Sequence, residues 1–176
     1  IMKTILTVDP VRFSTMTTSE LRQNFLVGDL FQPGRLEMAY WECDRTVIGG
    51  AMPAGAPLTL EAGKELASAY FLERREIGIM NVGGPGTVTV EGAAHPLQKC
   101  DCLYVGRGNR SVSFASASAA DPACFYLLSY PAHAAYPTTL ARKADATPAR
   151  LGSKAEANER TRRARALRGH RIEAAR

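Results

Sequence analysis

The run Gly86-Thr87-Val88-Thr89-Val90-Glu91-Gly92, followed by Leu97, Asp101, Leu103-Tyr104-Val105-Gly106 and Ser111-Val112-Ser113-Phe114, decides the fold. Residues 87–90 are β-branched throughout, which suits a pleated, half-buried strand. Glu91-Gly92 turns the chain. His95-Pro96-Leu97 reads as an edge segment, because Pro96 has no N–H to give to an interior ladder. Residues 103–105 and 111–115 read as strands on either side of a turn at Gly106-Arg107-Gly108-Asn109. Upstream, Gly83-Gly84-Pro85-Gly86 must turn, and it lacks both the lysine and the following helix of a phosphate loop.

The same period of two extends outward in both directions. Residues 36–41, 46–50, 58–60, 69–72 and 77–82 read as strands, with Asp44-Arg45 as a hairpin turn. Cys124-Phe125-Tyr126-Leu127-Leu128-Ser129-Tyr130 is the last strong strand. Short strands at regular spacing with glycine turns predict an all-β sandwich or barrel. One helix is expected near residues 18–26, where Thr17-Thr18-Ser19-Glu20 forms a capping box ahead of Leu21 and Phe25. Residues 131–137 are flanked by prolines and read as an ordered connection. Residues 138–152 read as linker. The end of the chain has helix-forming residues but no apolar stripe.

Composition supports one domain with a tail. The chain has 176 residues, 45% hydrophobic and 22% charged, with a formal net charge of +5. That charge is unevenly spread. Residues 142–176 hold eleven Lys/Arg and four Asp/Glu, whereas residues 1–141 hold eleven and thirteen. The basic end therefore says nothing about the surface of the body. It lacks the aromatic residues of a nucleic-acid platform and the apolar face of a membrane helix, so neither partner is expected. No apolar run is long enough to span a bilayer as a helix, and no leader pattern opens the sequence, so a cytoplasmic protein is expected. Cys43, Cys100, Cys102 and Cys124 are too sparse for a disulfide framework and read as free thiols. On a strand, Cys100 and Cys102 would share one face.

The pattern from Gly86 to Phe114 resembles a cupin. Three longer strings narrow the resemblance: Tyr70-Phe-Leu-Glu-Arg-Arg-Glu-Ile77-Gly78, Leu103-Tyr-Val-Gly-Arg-Gly108 and Pro131-Ala-His-Ala-Ala-Tyr-Pro-Thr138. With Leu21-Arg-Gln-Asn-Phe-Leu26 and Asp44-Arg45, they resemble 5-dehydro-4-deoxy-D-glucuronate isomerase, also called 4-deoxy-L-threo-5-hexosulose-uronate ketol-isomerase. The resemblance runs over roughly residues 15–161. It implies a two-cupin protein, cytoplasmic and homo-oligomeric (a hexamer in the family), acting on a deoxy-uronate in pectin breakdown. The implied reaction gives 3-deoxy-D-glycero-2,5-hexodiulosonate by proton transfer between adjacent carbons, with one zinc polarising oxygens.

The resemblance also implies that only the N-terminal half is here. A single cupin-like β-barrel is expected over residues 1–137, an interdomain linker over 138–161 and a divergent basic tail over 162–176. The tail reads as a truncation or frameshift product. The family's zinc is held by three histidines and a glutamate of the second cupin. In this half the corresponding positions fall on Tyr70, Leu72 and Ile77, with Arg110 and Ser111 near the fourth. None of these makes a zinc set. The chain alone is therefore expected to be inactive, and a structural or uronate-binding module is the alternative.

Low-specificity substrate contacts remain. His133 and Tyr136 of the connecting motif could reach a pocket in a complete protein, or form a hydrogen-bonded hinge. Arg74 and Arg75 could hold a uronate carboxylate bidentately, or belong to a salt-bridge network with Glu73 and Glu76. His95 reads as a surface or structural residue, and no role is expected for His170.

Overall fold

The computed structural model describes residues 2–151 and 160–162. Two antiparallel-rich sheets face each other across one apolar core. The larger is built from β1 (Lys3–Ile5), β2 (Arg35–Trp41), β3 (Thr46–Met52), β5 (Arg75–Asn81), β8 (Cys102–Val105), β10 (Phe125–Pro131) and β11 (Thr139–Ala141). The smaller holds β4 (Leu58–Thr59), β6 (Gly86–Val90), β7 (Ala93–Leu97) and β9 (Val112–Ser116). Spatial orders are β1-β2-β3-β10-β5-β8-β11 and β4-β9-β6-β7. A further pair, β12 (Ala149–Leu151) with β13 (Arg160–Arg162), stands apart.

Alternation along each strand makes the core. Ile77, Ile79, Leu103, Val105, Phe125 and Leu127 of the larger sheet meet Val88, Val90, Leu97, Val112 and Phe114 of the smaller one, each at most 3% exposed. Phe114 and Phe125 touch across the gap with ring centroids 5.5 Å apart. Burial of such side chains is the main stabilising term. Pro96 lies in β7, at the edge of its sheet, as a residue without a donor requires. Asp44 and Arg45 both adopt positive φ, 53° and 51°, in the tight turn between β2 and β3.

Two short helices, α1 (Pro10–Ser14) and α2 (Thr18–Phe25), form an N-terminal arm. The capping box of α2 is present in full: Glu20 N–H donates to Thr17 Oγ1, and Thr17 N–H donates to Glu20 Oε2. β1 and α1 were not expected. β1 is only three residues long, and Asp9 caps α1 by accepting from the amides of Val11 and Arg12.

Three expectations change. Residues 69–72 do not form a strand. Glu73 folds back to accept from the Ala69 amide at 2.7 Å and turns 71–73 into a 3₁₀ coil. Cys100 and Cys102 do not share a strand face, because Cys100 sits in a turn at φ 71° and only Cys102 enters β8. Within the expected linker, residues 139–141 are an edge strand paired with β8. Leu140 packs against the core there, a signal too short to stand out in the sequence. The basic tail beyond residue 162 lies outside the described residues.

Candidate functional site

The positions that the cupin register assigns to metal ligands carry hydrocarbon and a cation. Leu72 and Ile77 are core residues, each 1% exposed. The guanidinium of Arg110 lies over the Tyr70 ring, 5.0 Å from its centroid, a cation–π contact. The amides of Arg110 and Ser111 donate to Glu91 Oε1 at 2.5 and 2.7 Å. Those bonds, the Ser111 amide first, hold the Glu91 carboxyl below its ordinary range.

The buried polar side chains are also engaged, except for Glu65 Oε2, which is buried without a hydrogen-bond partner. Asn81 donates to the carbonyls of Gly84 and Leu97 and accepts from the amides of Gly83 and Cys124. Asp101 accepts from the amides of Gln98 and Lys143. Among the described residues, no three His, Cys, Asp or Glu side chains gather as a metal would need. The residues present do not fit zinc.

The four substrate-binding candidates surround one junction but do not converge. Arg75 is 6% exposed and turned inward, its Nε donating to Ser129 Oγ and its Nη2 to the carbonyls of Arg45 and Ser129. Desolvation pulls its pKa below the usual guanidinium value. Arg74 is exposed and bonds the carbonyls of Leu66 and Ala67 and the Ser68 hydroxyl. Instead of pairing with these arginines, Glu76 accepts from the Tyr104 hydroxyl at 2.8 Å. The charged cluster bonds neutral groups, and the ion pairs seen among the described residues are Arg12–Glu20 and Arg35–Glu37.

His133 is exposed, and Tyr136 is half-buried with its backbone pressed on Gly106, where any Cβ would overlap Tyr136 O. Arg107 ties the junction together. Its Nε donates to Glu73 O and its Nη1 to the carbonyls of Ala132 and His133. Sequence reasoning passed over Arg107, although it lies inside the string from Leu103 to Gly108. Burial first, then the bond to Glu76, raises the Tyr104 pKa, with a smaller push from Tyr136. The arrangement fixes the connecting motif on the sheet. It brings no nucleophile to a base.

A pocket lies elsewhere, between β2 and the turn at residues 61–65. It encloses about 510 Å³ and is lined by Leu36, Met38, Thr59, Glu61 and Glu65 among others. Glu37, Glu61 and Glu65 outnumber Lys64 along it, which disfavours a uronate. The four cysteines are free, Cys43 exposed and the others half-buried, and burial raises the Cys102 and Cys124 thiols.

The model of the KduI/IolB family matches residues 27–170. The chain belongs to that family. A 4-deoxy-L-threo-5-hexosulose-uronate ketol-isomerase of Shouchella clausii is 51% identical over 154 residues, covering 88% of this chain and 56% of the relative. A relative of the same name from Caldicellulosiruptor bescii is 41% identical over 160 residues, 91% of this chain and 58% of its own. The chain thus spans about half the length of the curated relatives it matches. Among solved structures, an IolB-like protein of Salmonella typhimurium superposes with a TM-score of 0.51 at 15% identity, over 66% of this chain and 42% of that one. The fold is a mostly-β domain resembling cupin-like folds. Among the described residues, no helix is long and apolar enough to cross a membrane.

Proposed function

We propose that this chain is the N-terminal, structural half of a ketol-isomerase converting 5-dehydro-4-deoxy-D-glucuronate to 3-deoxy-D-glycero-2,5-hexodiulosonate in the cytoplasm. Residues 1–137 form its cupin-like barrel, 138–161 lead out of it, and 162–176 are a divergent end. Zinc belongs to the half that this chain lacks. The observation that carries the reading is the filled interior: Leu72 and Ile77, where ligands would stand, are buried core. Support also comes from the shared family and from coverage of 56% of a relative bearing that activity's name. A rigid junction of Arg107, Glu73 and Gly106 suits a half that positions a neighbour. His133 and Tyr136 lie at that junction, the place from which this half would reach the other's substrate, with Arg74 beside it.

A coupled isomerase assay on the purified chain with added zinc tests the proposal. No turnover and substoichiometric zinc are expected. Adding the separately expressed second half of the Shouchella clausii relative should restore turnover. Turnover by this chain alone would overturn the reading.

A further inference from the structure

The smaller sheet ends at β4, which is only two residues long, and the inner side of β2 is left to the turn at residues 61–65. The space between them is the pocket of about 510 Å³, a size that takes a small molecule. Its floor is hydrocarbon and thioether. Leu36 and Met38 pack against the core from β2, and Met2 is 6% exposed.

One polar atom there lacks a partner. Glu65 Oε2 is buried and accepts no hydrogen bond. A buried carboxylate oxygen without a donor is costly. Protonation would not cure it, because the new O–H would find no acceptor. Lys64 does not pair with it, since the ion pairs among the described residues are Arg12–Glu20 and Arg35–Glu37. The turn nevertheless holds this carboxylate in place. Leu66 packs against the core, its amide donates to Gly63 O at 3.1 Å, and Arg74 Nη2 donates to the carbonyls of Leu66 and Ala67. Gly63 is the seat: a Cβ there would lie 2.5 Å from Glu65 Oε2 and 3.4 Å from the Met2 methyl. Any other residue at position 63 would push the carboxylate off that spot. Gly63, Glu65 and Met2 all line the pocket, so the missing donor can come from a molecule bound in it.

We propose that this pocket binds a small primary amine in its ammonium form. The ammonium donates to Glu65 Oε2, and a short hydrocarbon body lies on Leu36 and Met38. Met2 moves aside to admit it, as an unbranched, adaptable side chain can. An ammonium supplies the donor and the countercharge together. A bare metal ion does not fit, because no three His, Cys, Asp or Glu side chains gather among the described residues, and the floor offers it no oxygen. The proposal stands apart from the reaction that the relatives' name describes.

An amide NMR titration of the full chain tests it, with n-butylammonium, n-butanol and butyrate as probes of one shape and different charge. n-Butylammonium should shift the amides of Gly63, Lys64 and Glu65 saturably, with a Kd of about 1 mM. n-Butanol should bind roughly tenfold more weakly, and butyrate should not bind. Glu65→Gln keeps the shape without the charge and should weaken the ammonium about thirtyfold. Gly63→Ala should also weaken it by displacing the carboxylate, and it should fold, since residue 63 is extended at φ −69°. Glu65→Met should melt above wild type in amine-free buffer, because the orphan oxygen is gone, and should lose the rise in Tm that n-butylammonium gives the wild-type chain. Equal affinity in Glu65→Gln would overturn the proposal. So would n-butanol matching n-butylammonium, which would make the pocket merely apolar, or the absence of any saturable shift, which would leave it to water.

Discussion

The two sheets share one core but treat their outer faces differently. The smaller turns Thr87 and Thr89 of β6, Ser113 of β9 and Ala94 and Pro96 of β7 outward. The larger turns out Ile48, Met80, Tyr104, Tyr126, Leu128 and Tyr130, with Glu37 and Glu76 among them. One outer face is small and polar, the other mainly aliphatic and aromatic. The inward residues barely distinguish the sheets, so the contrast lies in their outer faces alone.

The largest effect should come from the feature both sheets share. Phe114→Ala removes a fully buried ring that touches Phe125, and should cost about 3–5 kcal/mol in denaturant unfolding. Next stands Arg75→Met, which strands the carbonyls of Arg45 and Ser129. A loss of about 1–3 kcal/mol is expected, confined to the end of the larger sheet and visible as faster amide exchange near Ser129. On the outer faces stability should hardly move. Met80→Glu and Thr89→Glu should each stay within about 0.5 kcal/mol.

The smallest effect should be acid loosening of the arm. Hydrogen bonds from Thr17 first, then Arg12, lower the Glu20 pKa to about 2 from 4.5. A depressed carboxylate stabilises above its unfolded value, so the cap is fully present above about pH 4.5 and is lost as pH falls through about 2. Helical signal should decline over that window and the decline should vanish in Glu20→Gln.

Much of this contrast was legible beforehand. The alternation in residues 86–90 and 125–130 announces both strand and inward face, and Thr17-Thr18-Ser19-Glu20 announces α2. The junction was not. Arg75 and Arg74 are chemically alike in sequence, yet one is buried and the other exposed, a difference set by the register of β5 against β10. Leu140 and the short β11 depend on a pairing with β8, in which Leu140 meets Leu103, and no local period can reveal it. For the site, the unsuitability of Tyr70, Leu72 and Ile77 for zinc was readable from residue type. The Arg110–Tyr70 contact needed coordinates.

Asp101 has a mechanical consequence. Its two oxygens hold the amide of Gln98, ahead of β8, and the amide of Lys143, just after β11, at 2.9 and 2.8 Å. A pull on the chain beyond Lys143 would otherwise peel three-residue β11 off the sheet one bond at a time, like a zip. The carboxylate sits at the open end of that zip, so tension passes through it into the turn beneath β8. A single side chain thereby converts a weak edge strand into a firm point of attachment for whatever follows it.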